Sequence, residues 1–310
     1  MNANANANAA TAAPAAAPAL LRRAGPLDTV MALVRRELWE HRALWVAPLV
    51  VEGLLALSLL FGRINMDLPE GMLAVPQRIA ALTILQWALA QPVFIVASIV
   101  TGFYLLDCLF AERKDRSILF WKSLPLSDGL TVGSKFLVAV VVVPLGALLL
   151  AAAADLLFTA ILVVRVPGTL SWSTYEWLRT ELVLLLEVIL AVLWYAPIAA
   201  ALLLFSAWIR RAPILWASLV PVVAPIVERV ALGTHYIWDF ERYRSNGIWH
   251  KLISGPDLFG DWHHLPPVGV VLERLNLGAA FGDADLWLGV AAAAAMLYAA
   301  ARIRRYRDDS

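Results

Sequence analysis

An all-α, polytopic membrane protein with six transmembrane helices is the fold class this sequence predicts, and three observations predict it. Hydrophobic residues make up 61% of the 310, with a mean hydropathy of +0.72. They are gathered into six long apolar runs, and the basic residues between those runs crowd into alternate loops. Lipid offers no partner to a backbone N–H or C=O, so apolar segments of about 20 residues must be helices that satisfy their own hydrogen bonds.

The runs are Leu44 to Gly62, Leu82 to Leu106, Phe136 to Val164, Leu182 to Ile209, Ile214 to Leu232 and Leu286 to Ala301. The last is the shortest and is Ala-rich. Lys and Arg accumulate on the cytoplasmic side of a membrane protein. Arg22, Arg23, Arg35, Arg36 and Arg42 precede the first run; Arg113, Lys114, Arg116, Lys122 and Lys135 separate the second from the third. Arg210 and Arg211 lie between the fourth and fifth, and Arg302, Arg304, Arg305 and Arg307 follow the sixth. The intervening loops are longer and hold fewer such residues, so both termini of this multi-pass protein are expected in the cytoplasm.

The net charge of +1 and pI near 7.9 give no footprint for nucleic acid. The one cysteine, Cys108, excludes an internal disulfide and a multi-cysteine zinc site. Residues 1–26 open on an Asn-Ala repeat and read as a disordered tail, without the basic start joined to an apolar core that a secretory signal needs.

Residues 27–43 read as an amphipathic helix. Leu27, Val30, Met31, Val34 and Leu38 recur at helical spacing, opposite Asp28, Arg35, Arg36 and Glu40, with a cap expected near Asp28 or Thr29. Trp39 and Trp45 suit the headgroup zone, so the helix is expected along the cytoplasmic surface; packing on a soluble partner is the alternative.

Residues 107–135 form the most informative soluble segment. The second helix should run beyond the membrane through Asp107, Glu112, Arg113, Lys114, Asp115 and Arg116, because charges this dense do not suit lipid. Ile118, Leu119, Phe120 and Trp121 follow, then Lys122, Ser123, Leu124 and Pro125, and a new helix should start at Ser127 or Asp128. Aromatic residues flanked by charge on such a stalk suit the docking of a soluble partner. A loop that folds back on its own helix ends fits the same residues.

Two stretches, "FYLLDCLFAERKDRSILFWKSLPLSDGLTVGSK" from Phe103 and "VRRELWEHRALWVAPL" from Val34, resemble the permease subunit of bacterial ABC transporters of the type-2, or type V exporter, family. The six-span layout is similar as well. The resemblance implies a connecting helix at about Leu27 to Arg42, with Arg35, Arg36, Glu37 and Trp39 on it. It also implies an ATPase-coupling element at Arg116, Ile118, Phe120, Trp121, Lys122 and Ser123. It places short re-entrant helices between spans five and six, where the external segment 233–283 is longer and more polar than a minimal hairpin. The implied partners are a soluble ATPase, which would bind ATP and Mg, and a second copy of the permease or a paralogue, all at the lipid bilayer.

No nucleotide site is legible in this chain. Gly129, Gly133, Ser134 and Lys135 follow G-x-x-x-G-S-K where a phosphate loop needs G-x-x-x-x-G-K-[ST], and no strand precedes them. No catalytic constellation is legible either. His235, His250, His263 and His264 share the external segment with Asp239, Asp257 and Asp261, but not at metal-ligand spacing; Gly, Pro and Trp around them point to irregular structure.

Glu52, Asp155, Glu187, Glu228 and Arg229 interrupt the apolar spans. At the bilayer centre each would cost about 2.5–3.5 kcal/mol, so they are expected to avoid lipid. Asp155, Glu187 and Glu228 fall in the outer parts of their helices, and Glu52 lies about 12 Å from the cytoplasmic start of its own. A shared polar cluster is therefore a candidate, as a vestibule or gate or as a structural tie. Pro213, Pro221 and Pro225 can bend the fifth span, and Ala291, Ala295 and Ala299 permit close packing of the sixth. Outside the ATP-driven reading, a proton-coupled secondary transporter would use the acids, and a non-transporting membrane scaffold would use the docking loop.

Overall fold

The computed structural model describes residues 25–62, 75–123, 126–165, 174–252 and 276–306. Within them the chain is all-α, and six helices are long and apolar enough to cross a membrane. The Asn-Ala tail, His263, His264, Asp257 and Asp261 lie outside the described residues.

Helix α1 (Pro26–Glu40) starts two residues before Asp28. Asp28 serves it from inside the first turn, its carboxylate accepting from the Gly25 N–H at 3.0 Å, and Pro26 occupies a first-turn position where a missing N–H costs nothing. At His41 and Arg42 the chain turns into α2 (Ala43–Phe61), the first span. The second, α3 (Val75–Lys114), ends on the charged Arg113 and Lys114, continuing as helix through the dense charges as its sequence predicts. Arg116 then takes a left-handed backbone conformation (φ 57°), which turns the chain into the short α4 (Ser117–Ser123).

Helix α5 (Asp128–Leu137) is capped by Ser127, whose hydroxyl accepts from the Leu130 N–H at 3.2 Å. A π-helical turn at Val138–Val142 joins it to α6 (Val143–Arg165) in one span. Pro144 accounts for that turn: it lacks an N–H and its ring would strike the carbonyl four residues back, which one wider turn relieves.

Helices α7 (Thr174–Trp208), α8 (Pro213–Leu232) and α11 (Ala284–Tyr306) supply the remaining spans. Pro221 and Pro225 lie inside α8 without interrupting it. The contact between α7 and α11 is the most extensive in the bundle. It runs over Ala196 and Ala200 of α7 against Ala293 of α11, a close backbone approach that suits lipid, where packing replaces hydrophobic exclusion. Ala291 and Ala295 face outward instead, which corrects the stripe expected from sequence. In an alanine run every phase has small residues, so the sequence does not mark which one packs.

The α1, α4 and α11 C-terminal parts share one end of the bundle, called proximal below; α9 (Tyr236–Leu252) and α10 (Leu277–Phe281) share the other, distal end. The 17-residue α9 corrects the expectation of irregular structure for the polar external segment. Polar contacts at its start and its middle dock it on the bundle. Glu228, at the end of α8, accepts from the Thr234 hydroxyl (2.7 Å) and the Tyr236 and Ile237 N–H groups (2.8 and 2.7 Å), capping the α9 N-terminus.

Farther along, the buried Arg244 guanidinium stacks on Trp194 of α7 at 4.4 Å and donates to the Trp194 carbonyl at 2.7 Å. The Trp194 indole returns a bond to the Arg244 carbonyl at 2.8 Å. Gly289 of α11 leaves room for this guanidinium, because a Cβ there would collide with it. Gly289→Ala should therefore cost about 1–3 kcal/mol and loosen α9. Limited proteolysis within α9 is expected to accelerate while α1 stays protected.

Candidate functional site

Two places gather ionisable side chains among apolar helices. The larger lies at the proximal end and is built from four helices. Glu37 of α1, 1% exposed, points away from water into the bundle. It accepts from Lys135 Nζ of α5 at 2.7 Å and from the Tyr104 hydroxyl of α3 at 3.0 Å. Lys135, also 1% exposed, is 3.1 Å from Glu112 of α3. Glu112 in turn is bonded by Arg304 of α11, which donates to Asp128 of α5 at 3.2 Å. Arg36 grips Glu40 with two bonds of 2.6 and 3.0 Å and approaches Glu112 at 3.7 Å.

In the buried part Arg36, Lys135 and Arg304 thus face Glu37, Glu112 and Asp128, three charges against three, with Glu40 at the exposed rim beside Arg36. Such balance is what permits burial, since an unpaired charge in a low-dielectric interior is far more costly than a pair. Glu37, Glu40 and His41 approach one another closely enough to suggest ligands for a metal. Lys135 and Arg36 already match the carboxylates' charge, so the geometry needs no ion.

The same Arg36 reaches α4. Its guanidinium lies 3.4 Å over the Trp121 ring, and Trp121 meets Phe120 edge to face at 5.1 Å. Phe120 turns outward, 61% exposed, whereas Ile118 is buried toward the bundle. Ser123 closes α4 by donating to the Phe120 carbonyl at 2.7 Å. Arg116 contributes the turn described above, and its side chain is exposed; the Lys122 side chain lies outside the described atoms. Arg35 and Trp39 are exposed on α1. Arg113 ties the α4 root to α7 by donating to the Ser206 and Ile209 carbonyls at 2.6 and 2.8 Å, a favourable place for a cation at a helix C-terminus.

Sequence reasoning named Arg36, Glu37 and Trp121 in separate roles but not the network that joins them. Lys135 was legible only as a basic loop residue, and Tyr104 carried no signal. One was available: Glu37, Glu112 and Lys135 each sit on an otherwise apolar helical face, and burial of all three requires mutual pairing.

The second place lies within the membrane. Of the expected polar cluster, the structure brings Glu52 and Asp155 together and adds Glu181 of α7. Asp155 and Glu181 lie side by side with Glu52 near them, and one oxygen of Asp155 and one of Glu181 are buried without a hydrogen-bond partner. Both Glu52 oxygens are buried without a hydrogen-bond partner. Glu228 is occupied at the α9 cap, Arg229 is exposed, and Glu187 lies half-buried six residues along α7 from Glu181. Comparison with protein families, with curated proteins and with solved structures yields no match to this chain.

Proposed function

We propose that this chain is the membrane-spanning permease subunit of an ATP-driven ABC exporter in a bacterial inner membrane. It would work as a dimer, with itself or a paralogue, and be driven by a separate soluble ATPase that binds ATP and Mg. The proximal end is then cytoplasmic, in keeping with the basic loops. The observation that carries this reading is α4: a short helix just past the charged end of the second span, offering Phe120 outward while Arg36 lies over Trp121.

A helix held this way can transmit force. Displacement of α4 pulls on Arg36, hence on α1, whose Glu37 is locked to Lys135 at the base of the third span and, through Glu112 and Arg304, to the second and sixth. Coupling between distant sites needs a physically connected element that both can bias, and the charge network is such an element. The juxtaposition of Asp155, Glu181 and Glu52 among the apolar helices supports a second reading, proton-coupled transport, because carboxyl groups placed there are the groups such a transporter would load and unload.

The deciding experiment is co-purification of this chain with a soluble ABC ATPase, followed by reconstitution. A complex whose ATP hydrolysis drives transport supports the exporter. Transport that follows an imposed proton gradient without ATP sinks it in favour of the second reading.

A further inference from the structure

Where α1 turns into α2, a cavity of about 770 Å³ opens between the hinge and α6. Leu38, Trp45, Pro48, Gly146 and Leu150 give it apolar walls, and its size lies within the roughly 300–1,000 Å³ of ligand sites. Two features of the third span make room for it: the wide turn that Pro144 imposes beside it, and the missing side chain at Gly146. The Trp45 indole, pinned by donating to the Leu38 carbonyl at 3.2 Å, holds the near rim.

Arg42 lies at the mouth. It is exposed, and among the described residues its guanidinium meets no carboxylate, in contrast to the paired Arg36 one helical turn and a half earlier. The cavity thus combines hydrocarbon walls along the first apolar span with one uncommitted cation at the start of that span, flanked by exposed Trp39 and Trp45, residues that favour the headgroup zone.

We propose that this groove binds one anionic phospholipid of the leaflet at the proximal end. Its acyl chains lie along Pro48, Gly146 and Leu150, and its phosphate meets Arg42. Apolar walls at membrane depth select hydrocarbon, and a lone cation at the interface selects a net negative headgroup over a zwitterionic one. A second copy meeting this face isologously would bring a second Arg42 to the same seam, which like charge disfavours. The proposal rests on placement in a membrane and is independent of the ATPase reading.

The test uses the full chain in phosphatidylcholine vesicles, with nitroxide-labelled phosphatidylglycerol or phosphatidylcholine as probe, read by electron paramagnetic resonance as the motionally restricted fraction. Phosphatidylglycerol should be preferred by about fivefold, the selectivity of one interfacial arginine. Arg42→Gln should bring the two probes level; the side chain is exposed and, among the described residues, meets no carboxylate, so the fold does not depend on its charge. Gly146→Leu should lower restricted lipid by about one molecule per chain for both probes. A Cβ at Gly146 meets nothing within 4 Å, so the change fills the groove without striking backbone. Equal retention of both probes by the parent chain overturns the proposal. So does a preference that survives Arg42→Gln, or a Gly146→Leu variant that loses self-association and not lipid, which assigns the groove to a second copy. Should Gly146→Leu fail to insert, the Arg42→Gln comparison decides alone.

Discussion

Lys135→Met is expected to destabilise the protein by about 3–5 kcal/mol, the cost of removing one partner from a buried ion pair. The side chain it replaces is 1% exposed and bonds Glu37 at 2.7 Å while lying 3.1 Å from Glu112. Methionine fills much of the same volume, so the loss comes from charge and not from a cavity. Glu37 keeps the Tyr104 hydroxyl and Glu112 keeps Arg304, but the network is left with one positive charge too few. Thermal unfolding in detergent, followed by size exclusion, should show the lower midpoint. Adding Glu37→Gln should recover part of it, because the second change removes the carboxylate that the first orphaned. Additive losses in the double variant would show that Glu37 and Lys135 do not act on each other.

The second large effect is expected at α4. On the proposed function, Phe120→Ala should weaken association with the ATPase by about thirtyfold, since truncating an aromatic anchor at an interface hot spot costs about 2 kcal/mol. Phe120 is the cleaner probe than Trp121. It is exposed, whereas Trp121 supports Arg36, so Trp121→Ala would disturb both the docking face and the α1 contact. Affinity measured by surface-immobilised permease should fall for Phe120→Ala with the unfolding midpoint unchanged. Unaltered affinity would place the docking surface elsewhere.

Much of the architecture was legible. The six spans, the projecting end of α3, the helix start at Ser127 and the amphipathic segment before the first span all follow from local pattern: apolar length, charge density, a capping serine, a 3.6-residue period. The start of α1 was misplaced because Asp28 caps from within the first turn and a proline opens the helix. Helix α9 was missed because its apolar and polar residues do not sort into a clean stripe; Arg244 and Trp194 define its buried side together, and they lie on different helices.

By itself, the sequence determined that this chain crosses a membrane six times as helices, since hydrocarbon leaves no other use for segments of that length and apolarity. It also determined that its internal charges must find partners. Which partners they find was decided only in three dimensions. Glu37 meets a lysine 98 residues away and Glu112 an arginine 192 residues away, while Glu228 turns from the acids it resembles to cap a neighbouring helix. Ionic attraction carries no sequence register: any buried carboxylate would accept any cation. The packing of four helices at one end of the bundle brings particular ones within bonding distance and, among the described residues, leaves Arg42 without a carboxylate.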